Sequence, residues 1–311
     1  MNIEQIGVVG GGTAGRGIAW ALSTAGVEVV LVEASGRLLE ASLDALRDSL
    51  DREIARWAIT ESERDAILAR ISGTTDLEEV SPFSVIIEAV TEEFKTKTML
   101  LQQLDTICLP EAVFLCNSST LNVSDLAGVL PKARRDRLAG LHFLHPVNRV
   151  PVVELIRGRE TSERAVAAAR SVAELLDKEV VEVEESPGYV TTRLTLVIIN
   201  EAIQALMEGV ATRDSIDRAM KLRFGWTHGP LALADEIGLD SCLRALTNLS
   251  KEMGLPQYRP CPLLRRMVNR GLLGEKSGRG FYRYDERGRR VENAEEDLSL
   301  PRLETVLGGE E

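Results

Sequence analysis

The chain has 311 residues, of which 44% are hydrophobic, 27% charged and only 4% aromatic, and its formal net charge is -11. That length favours two packed domains over one hydrophobic core, and the composition is that of a globular rather than a disordered chain. The acidic balance argues against a nucleic-acid binder, which needs clustered Lys and Arg to neutralise phosphates. Two small basic clusters, Lys132 with Arg134, Arg135 and Arg137, and Arg265 with Arg266 and Arg270, read as solvated faces. Cys108, Cys116, Cys242 and Cys261 are widely spaced, which indicates neither a zinc site nor a disulfide framework, so no metal is expected. Met1 runs at once into an apolar strand with no basic leader, and no apolar run approaches the roughly 18 residues of a membrane span. A cytoplasmic protein is expected.

In chain order, apolar β-branched runs at Ile6 to Val9 and Val27 to Val32 flank a helical segment from about Gly15 to Ala25, which predicts a parallel βαβ unit. The amphipathic stretch from Arg37 to Arg70 reads as one helix or a helical pair. Strands follow at Val85 to Ile87, Val113 to Leu115, Leu138 to Phe143, Val152 to Ile156 and Glu179 to Val183, with helices around Lys95 to Ile107 and Glu163 to Leu176. From Gly188 onward the patterns are helical: Thr192 to Glu208, Ser215 to Lys221, Pro230 to Asp235 and Cys242 to Met253. The expected fold class is α/β, a Rossmann-like N-terminal domain over 1–185 followed by an all-α C-terminal domain over 186–311. The last twenty residues, with Glu292, Glu295, Glu296, Asp297, Glu304, Glu310 and Glu311, look like an acidic tail.

Gly10-Gly11-Gly12-Thr13-Ala14-Gly15 satisfies G-x-G-x-x-G directly after a strand and at the opening of a helix. Gly10 permits the tight turn, Gly12 lets the backbone approach a pyrophosphate, and Gly15 allows helix to pack on strand. The amides of Thr13 and Ala14 belong to the helix N-terminus, which favours phosphate. Glu33 closes the second strand, where a carboxylate accepts hydrogen bonds from ribose hydroxyls and repels a 2′-phosphate, so NAD is expected over NADP. Arg37 keeps NADP open, and a flavin uses the same fingerprint.

Two of the three histidines fall in Gly140-Leu-His-Phe-Leu-His-Pro146. Histidine titrates near neutrality and suits removal of a proton from a hydroxyl. Glu154 stands alone in an otherwise apolar strand, where a carboxylate costs free energy unless something pairs with it. That suggests a partner, a histidine being one choice; an exposed acid on a half-buried strand is the other. Asn117, Ser118, Ser119 and Thr120 follow a strand at the end where α/β sheets bind ligands, although a simple turn has the same composition.

These segments together resemble the short-form 3-hydroxyacyl-CoA dehydrogenase family over nearly the full chain. The resemblance is carried by Gly7 to Glu33, Ile87-Glu-Ala-Val-Thr-Glu92 with Lys97, Asn117 to Leu121, Gly140 to Phe143 with Pro146, and Val153 to Ile156. Ser186-Pro-Gly-Tyr189, Ala219 to Lys221, Gly229 to Leu231, Ile237 to Asp240 and Lys276-Ser-Gly-Arg-Gly-Phe-Tyr282 continue it. It implies reversible oxidation of a 3-hydroxyacyl thioester, such as 3-hydroxybutyryl-CoA, to the 3-oxoacyl thioester, with hydride passing to NAD. It makes His142 the general base, Glu154 the acid that orients it, and Ser119 the residue that hydrogen-bonds the reacting oxygen. Ala89, Glu92, Lys97, Asn117, His145 and Lys276 would line the dinucleotide, Thr192 the substrate carbonyl, and Arg52 and Arg56 the CoA phosphates. A homodimer through the helical domain is also implied.

Three positions depart from the family pattern. Thr192 stands where an asparagine is common, and Asn200 cannot replace it, because eight helical residues amount to roughly 12 Å of rise. His145 replaces an asparagine or aspartate before the proline, and the Gly225-Trp-Thr-His-Gly-Pro230 loop is shorter than usual, His228 within it reading as structural. The region around Asp48, Asp51 and Glu53 is acidic where the family carries basic residues. Dehydrogenation of a hydroxyacyl group on an acyl carrier protein is therefore a second reading, with a free hydroxy acid a third and a non-catalytic dinucleotide-binding module a fourth.

Overall fold

The computed structural model describes residues 3–285 and 288–291, so the expected acidic tail lies outside the described residues. Two compact units divide the chain, one ending at Tyr189 and the other starting at Val190.

The first unit opens with β1 (Gln5–Val9), α1 (Thr13–Thr24) and β2 (Glu28–Val32), the predicted parallel βαβ. The charged stretch that follows is a pair, α2 (Gly36–Ala55) and α3 (Glu61–Ala69). Trp57, at φ 61°, turns the chain out of α2, and a capping box between Thr60 and Glu63 starts α3. Next comes β3 (Ile71–Thr74), which the hydrophobic pattern does not reveal: Ser72, Gly73 and Thr74 carry no apolar alternation, and pairing with β2 alone makes the strand.

The remaining elements are β4 (Val85–Glu88), α4 (Phe94–Ile107), β5 (Val113–Cys116), α5 (Val123–Gly128), α6 (Lys132–Arg135), β6 (Leu138–Phe143), β7 (Val152–Arg157), α7 (Glu163–Leu175) and β8 (Glu179–Glu184). They build an eight-stranded sheet ordered β3-β2-β1-β4-β5-β6-β7-β8, parallel except between β6 and β7. The central strands β4, β5 and β6 are buried at every residue, which is why they read as unbroken apolar runs rather than alternating ones. Ile6, Val8, Leu115 and Leu141 belong to one core layer and Ile86, Phe114 and Leu138 to another. Each such side chain removed from water contributes roughly 1.5–3 kcal/mol. The outer strand β8 is instead acidic and exposed at Glu179, Glu182 and Glu184, which blunts edge pairing.

The sequence reading of Lys132, Arg134, Arg135 and Arg137 as a solvated face fails at Arg134. Its guanidinium is buried against Phe114, pairs with Asp105 at 2.7 Å and donates to the carbonyls of Leu109 and Ala112. A planar, permanently charged group with five donors can satisfy several orphaned loop carbonyls at once.

The second unit contains α8 (Thr191–Met207), α9 (Arg213–Phe224), α10 (Pro230–Ile237), α11 (Leu239–Met253) and α12 (Pro262–Asn269). The expectation of helices alone needs one amendment, because isolated bridges join Gly274 to Arg279, Arg279 to Arg283 and Tyr284 to Arg290. Asp235 holds that segment: its carboxylate accepts hydrogen bonds from the amides of Phe281 and Tyr282 and from the Tyr284 hydroxyl. Asn200 is a tether within the unit, donating to the carbonyls of Gln257 and Arg259 and accepting from the amide of Cys261. Among the described residues no helix is long and apolar enough to cross a membrane.

Candidate active site

In the first unit the strand order runs one way from β1 to β2 and β3, and the other way from β4. The carboxyl ends of β1 and β4 therefore flank a switch point, the place where an open α/β sheet binds ligands. Gly10 leaves β1 at φ +103°, and a Cβ there would lie 2.7 Å from the Ala89 carbonyl. At Gly15 an added Cβ would sit 1.8 Å from the Gly10 carbonyl oxygen, so α1 can approach β1 only as glycine allows. Gly12 caps α1 without a side-chain hydrogen bond, which leaves the first-turn amides of Thr13 and Ala14 without a side-chain partner there.

Glu33, at the end of β2, accepts from the Gly11 amide at 2.7 Å through Oε1, with Ser42 Oγ 3.3 Å from the same oxygen. One carboxylate thus shapes the glycine turn from the ribose side. Arg16 donates to the Gly11 carbonyl at 2.8 Å. Burial, then the nearby Arg52, hold its guanidinium below the ordinary range against the pull of Glu33. Arg16 thus lies within electrostatic reach of Glu33, whereas Arg37 is exposed. This pair of opposite charges at the ribose end, a cradle with open space at Gly12 and bare helix amides fit NAD.

Beneath the turn lies a buried charge cluster. Lys97 has no exposed surface; its ammonium contacts Glu88 at 2.7 and 2.9 Å and the Asn117 carbonyl at 3.1 Å, with Glu92 3.5 Å away. Burial disfavours the ammonium, but Glu88 and Glu92 outweigh it and keep Lys97 above its ordinary range. Burial likewise raises Glu92, yet Lys97 and the loop donors prevail and hold it below. Glu92 Oε1 accepts from Ser118 Oγ at 2.6 Å and from the amides of Ser119 and Thr120 at 2.9 and 2.7 Å. Lys97 thus has no exposed side-chain surface and braces, through Glu92, the loop that carries Ser119 and Thr120. Ala89 follows β4 with its amide on the Val9 carbonyl, and Asn117 Oδ1 accepts from the Phe143 amide at 3.0 Å.

The antiparallel register of β6 and β7 sets His142 directly opposite Glu154. The two side chains are 5% and 0% exposed, and His142 Nδ1 lies 2.8 Å from Glu154 Oε2. His142 Nε2 is 3.1 Å from Ser119 Oγ. A carboxylate only accepts, so Nδ1 carries the proton and Nε2 presents its lone pair towards Ser119, a tautomer assigned from these partners. The lone acid of β7 and the histidine of β6 are one relay, which resolves the two readings left open for Glu154.

Further residues singled out in the sequence belong to α2 and the loop after β6 of the first unit or to the second unit. His145 is exposed and precedes Pro146 through a cis peptide bond. In α2, Arg52 donates to Ser49 at 2.8 Å and Arg56 to Glu53 at 3.3 Å; Glu53 also accepts from Arg149 of the loop after β6. In the second unit Thr192 is half-buried in the first turn of α8, Lys276 pairs with Asp240, and His228 lies 3.6 Å from Glu236. Sequence reasoning did not single out Tyr189, whose ring centroid is 5.6 Å from that of His142. Its only sequence signal is its place in Ser186-Pro-Gly-Tyr189.

Comparison with known proteins bears on the fold and the family. Residues 5–186 match the 3-hydroxyacyl-CoA dehydrogenase NAD binding domain, and residues 188–284 the C-terminal domain of the same family. The chain is 42% identical over 287 residues to a probable 3-hydroxybutyryl-CoA dehydrogenase of Bacillus subtilis, covering 92% of this chain and 99% of the relative. The 3-hydroxybutyryl-CoA dehydrogenase of Bradyrhizobium diazoefficiens is 36% identical over 282 residues, covering 91% and 96%. The solved (S)-3-hydroxybutyryl-CoA dehydrogenase of Ralstonia eutropha is 40% identical, with a TM-score of 0.78 and coverage of 92% and 100%. With both halves matched and several relatives above 30% identity over nearly their whole length, the chain belongs to the 3-hydroxyacyl-CoA dehydrogenase family.

Proposed function

We propose that this protein is an NAD-dependent dehydrogenase that reversibly oxidises a short-chain 3-hydroxyacyl-CoA, such as 3-hydroxybutyryl-CoA, to the 3-oxoacyl thioester. The observation that carries the reading is the buried set Glu154, His142 and Ser119, with the Nε2 lone pair facing a hydroxyl at the same carboxyl edge of the sheet as the dinucleotide cradle. The names borne by the relatives support the substrate class.

Gly10, Gly12, Gly15 and the first-turn amides of Thr13 and Ala14 would hold the NAD pyrophosphate, and Glu33 its adenosine ribose. NAD supplies the hydride acceptor when bound. His142 Nε2 removes the substrate hydroxyl proton as the carbonyl forms, and Ser119 Oγ donates to the same oxygen. Glu154 accepts from Nδ1–H throughout, which fixes the ring and balances the positive charge His142 gains. In the reverse direction His142 returns the proton. Glu92, with Lys97 behind it, fixes the loop that carries Ser119.

A panel of 3-hydroxyacyl-CoA chain lengths and the same acyl groups on an acyl carrier protein, followed by NADH absorbance, tests this reading. Turnover of the short CoA substrate is expected, and His142→Ala should lower it about 10²–10⁴-fold, as loss of a general base does. Undiminished activity in that variant overturns the assignment of the base, and tight NADH binding with no turnover of any thioester overturns the function. The carrier-protein arm has a structural motive, since Glu53 already engages Arg56 and Arg149 near the expected CoA phosphates. A cytoplasmic homodimer belongs to the same proposal. The exposed Leu194, Val210 and Leu222 of the helical unit support a partner surface there, and elution at monomer mass would count against it.

A further inference from the structure

We propose that Tyr189 is a positioning residue that locks His142 and Ser119 into one geometry, bracing the imidazole with its ring and the serine loop with its hydroxyl. The inference rests on the dehydrogenase reading and adds a residue that reading does not use.

Tyr189 is 3% exposed and adopts φ 44°, a left-handed conformation uncommon for a bulky side chain. Gly188, at φ 79°, precedes it, and the Tyr189 amide donates to the Ser186 carbonyl, so the Ser186 to Tyr189 turn directs the phenol inward. A residue is held in such a conformation only where its surroundings over-determine it. Two contacts do so. The phenol ring tilts 54° against His142 at a centroid distance of 5.6 Å, a geometry in the range aromatic pairs favour. The hydroxyl donates to the Leu121 carbonyl at 2.9 Å.

That carbonyl closes the loop carrying Ser119. Asn117 and Glu92 anchor the loop at its start and middle through the Phe143 amide and the Ser119 and Thr120 amides. Leu121 returns its own amide to Ser118 Oγ at 3.0 Å, and Tyr189 holds its other end. Without the phenol hydroxyl the Leu121 carbonyl keeps only the longer 3.4 Å contact from Ser118 Oγ, while His142 stays fixed to Glu154. Ser119 Oγ then drifts relative to Nε2, and displacement near 1 Å in such a pair can cost about 10²-fold in rate. Burial, with Glu92 nearby, pushes the Tyr189 phenol well above its ordinary range, so it remains a donor wherever the protein works.

The test is Tyr189→Phe, which keeps the ring and removes the hydroxyl, made in the wild-type and Ser119→Ala backgrounds. In the wild-type background kcat should fall about tenfold, equivalent to about 1.4 kcal/mol, with KM for NAD unchanged. In Ser119→Ala the same change should cost less than about twofold, because the group it positions is already gone. A wild-type kcat in Tyr189→Phe, or an equal loss in both backgrounds, overturns the inference. The His142 Nε2 resonance in imidazole-¹⁵N NMR supplies a readout independent of turnover: Tyr189→Phe should shift it towards that of Ser119→Ala. An unshifted resonance overturns the role of Tyr189 even in a protein that turns over no thioester, whereas absent turnover with the shift present sinks only the dehydrogenase reading.

Discussion

Replacing Glu154 by glutamine removes one charge from the relay while preserving its volume, and the size of the effect follows from the burial of the pair. Glu154 is wholly buried and His142 nearly so, with oxygen and nitrogen 2.8 Å apart. When His142 takes the substrate proton it becomes an imidazolium beside the carboxylate. At about 5 Å between charge centres and an effective dielectric constant near 20, that attraction is worth about 3 kcal/mol. It is present after proton transfer and absent before, so it acts on the barrier and not on ground-state binding. Glu154→Gln should therefore lower kcat about 10²-fold, with the KM for NAD changed less than about twofold. A glutamine amide can also donate to Nδ1, which would move the ring proton to Nε2, abolish the base and deepen the loss. Initial rates of NADH formation at saturating NAD and thioester measure kcat, and NADH fluorescence titration measures cofactor binding. A kcat within threefold of wild type would refute the assignment of Glu154 to the relay. A loss confined to cofactor affinity would refute it equally, because it would place the carboxylate's effect on binding.

Two further outcomes follow from the geometry. Alanine at Gly12 meets nothing within 4 Å, whereas at Gly15 its Cβ would meet the Gly10 carbonyl at 1.8 Å. Gly12→Ala should therefore leave the melting temperature within about 1–2 °C while weakening NADH at least about tenfold, because the methyl enters space meant for the pyrophosphate. Gly15→Ala should destabilise the fold itself by more than about 3 kcal/mol, and equal effects of the two on stability would contradict the cradle. Burial pushes the Asp235 carboxyl up to about 7 against three hydrogen-bond donors. The native state then binds the proton more tightly than the unfolded chain. Its contribution to stability is largest below the unfolded value of 3.8 and declines, by about 1.4 kcal/mol per pH unit, until pH passes about 7. Urea midpoints between about pH 5 and pH 7 should show this slope in the wild type and its loss in Asp235→Asn; parallel slopes would exclude Asp235 as their source.

The sequence alone determined the dinucleotide cradle, because each of its requirements is local. The turn, the helix start and the acid at Glu33 are separated by fixed short spacings, and glycine is the residue that tolerates φ +103° at Gly10 and contact at Gly15. The buried central strands were equally legible as apolar runs, and Glu154 was conspicuous as the acid within the apolar run of β7. Tertiary structure decided what Glu154 pairs with, since only the antiparallel register of β6 and β7 sets it opposite His142. It also decided the edge strand β3, which has no apolar period and exists because β2 offers it hydrogen bonds. The interior fate of Arg134 and Lys97 was hidden for a related reason: a cation reads as surface until long-range packing surrounds it with carbonyls and carboxylates. Tyr189 was illegible in the same way, because its position beside His142 depends on contacts between residues 47 and 68 apart in the chain, and no local pattern records them.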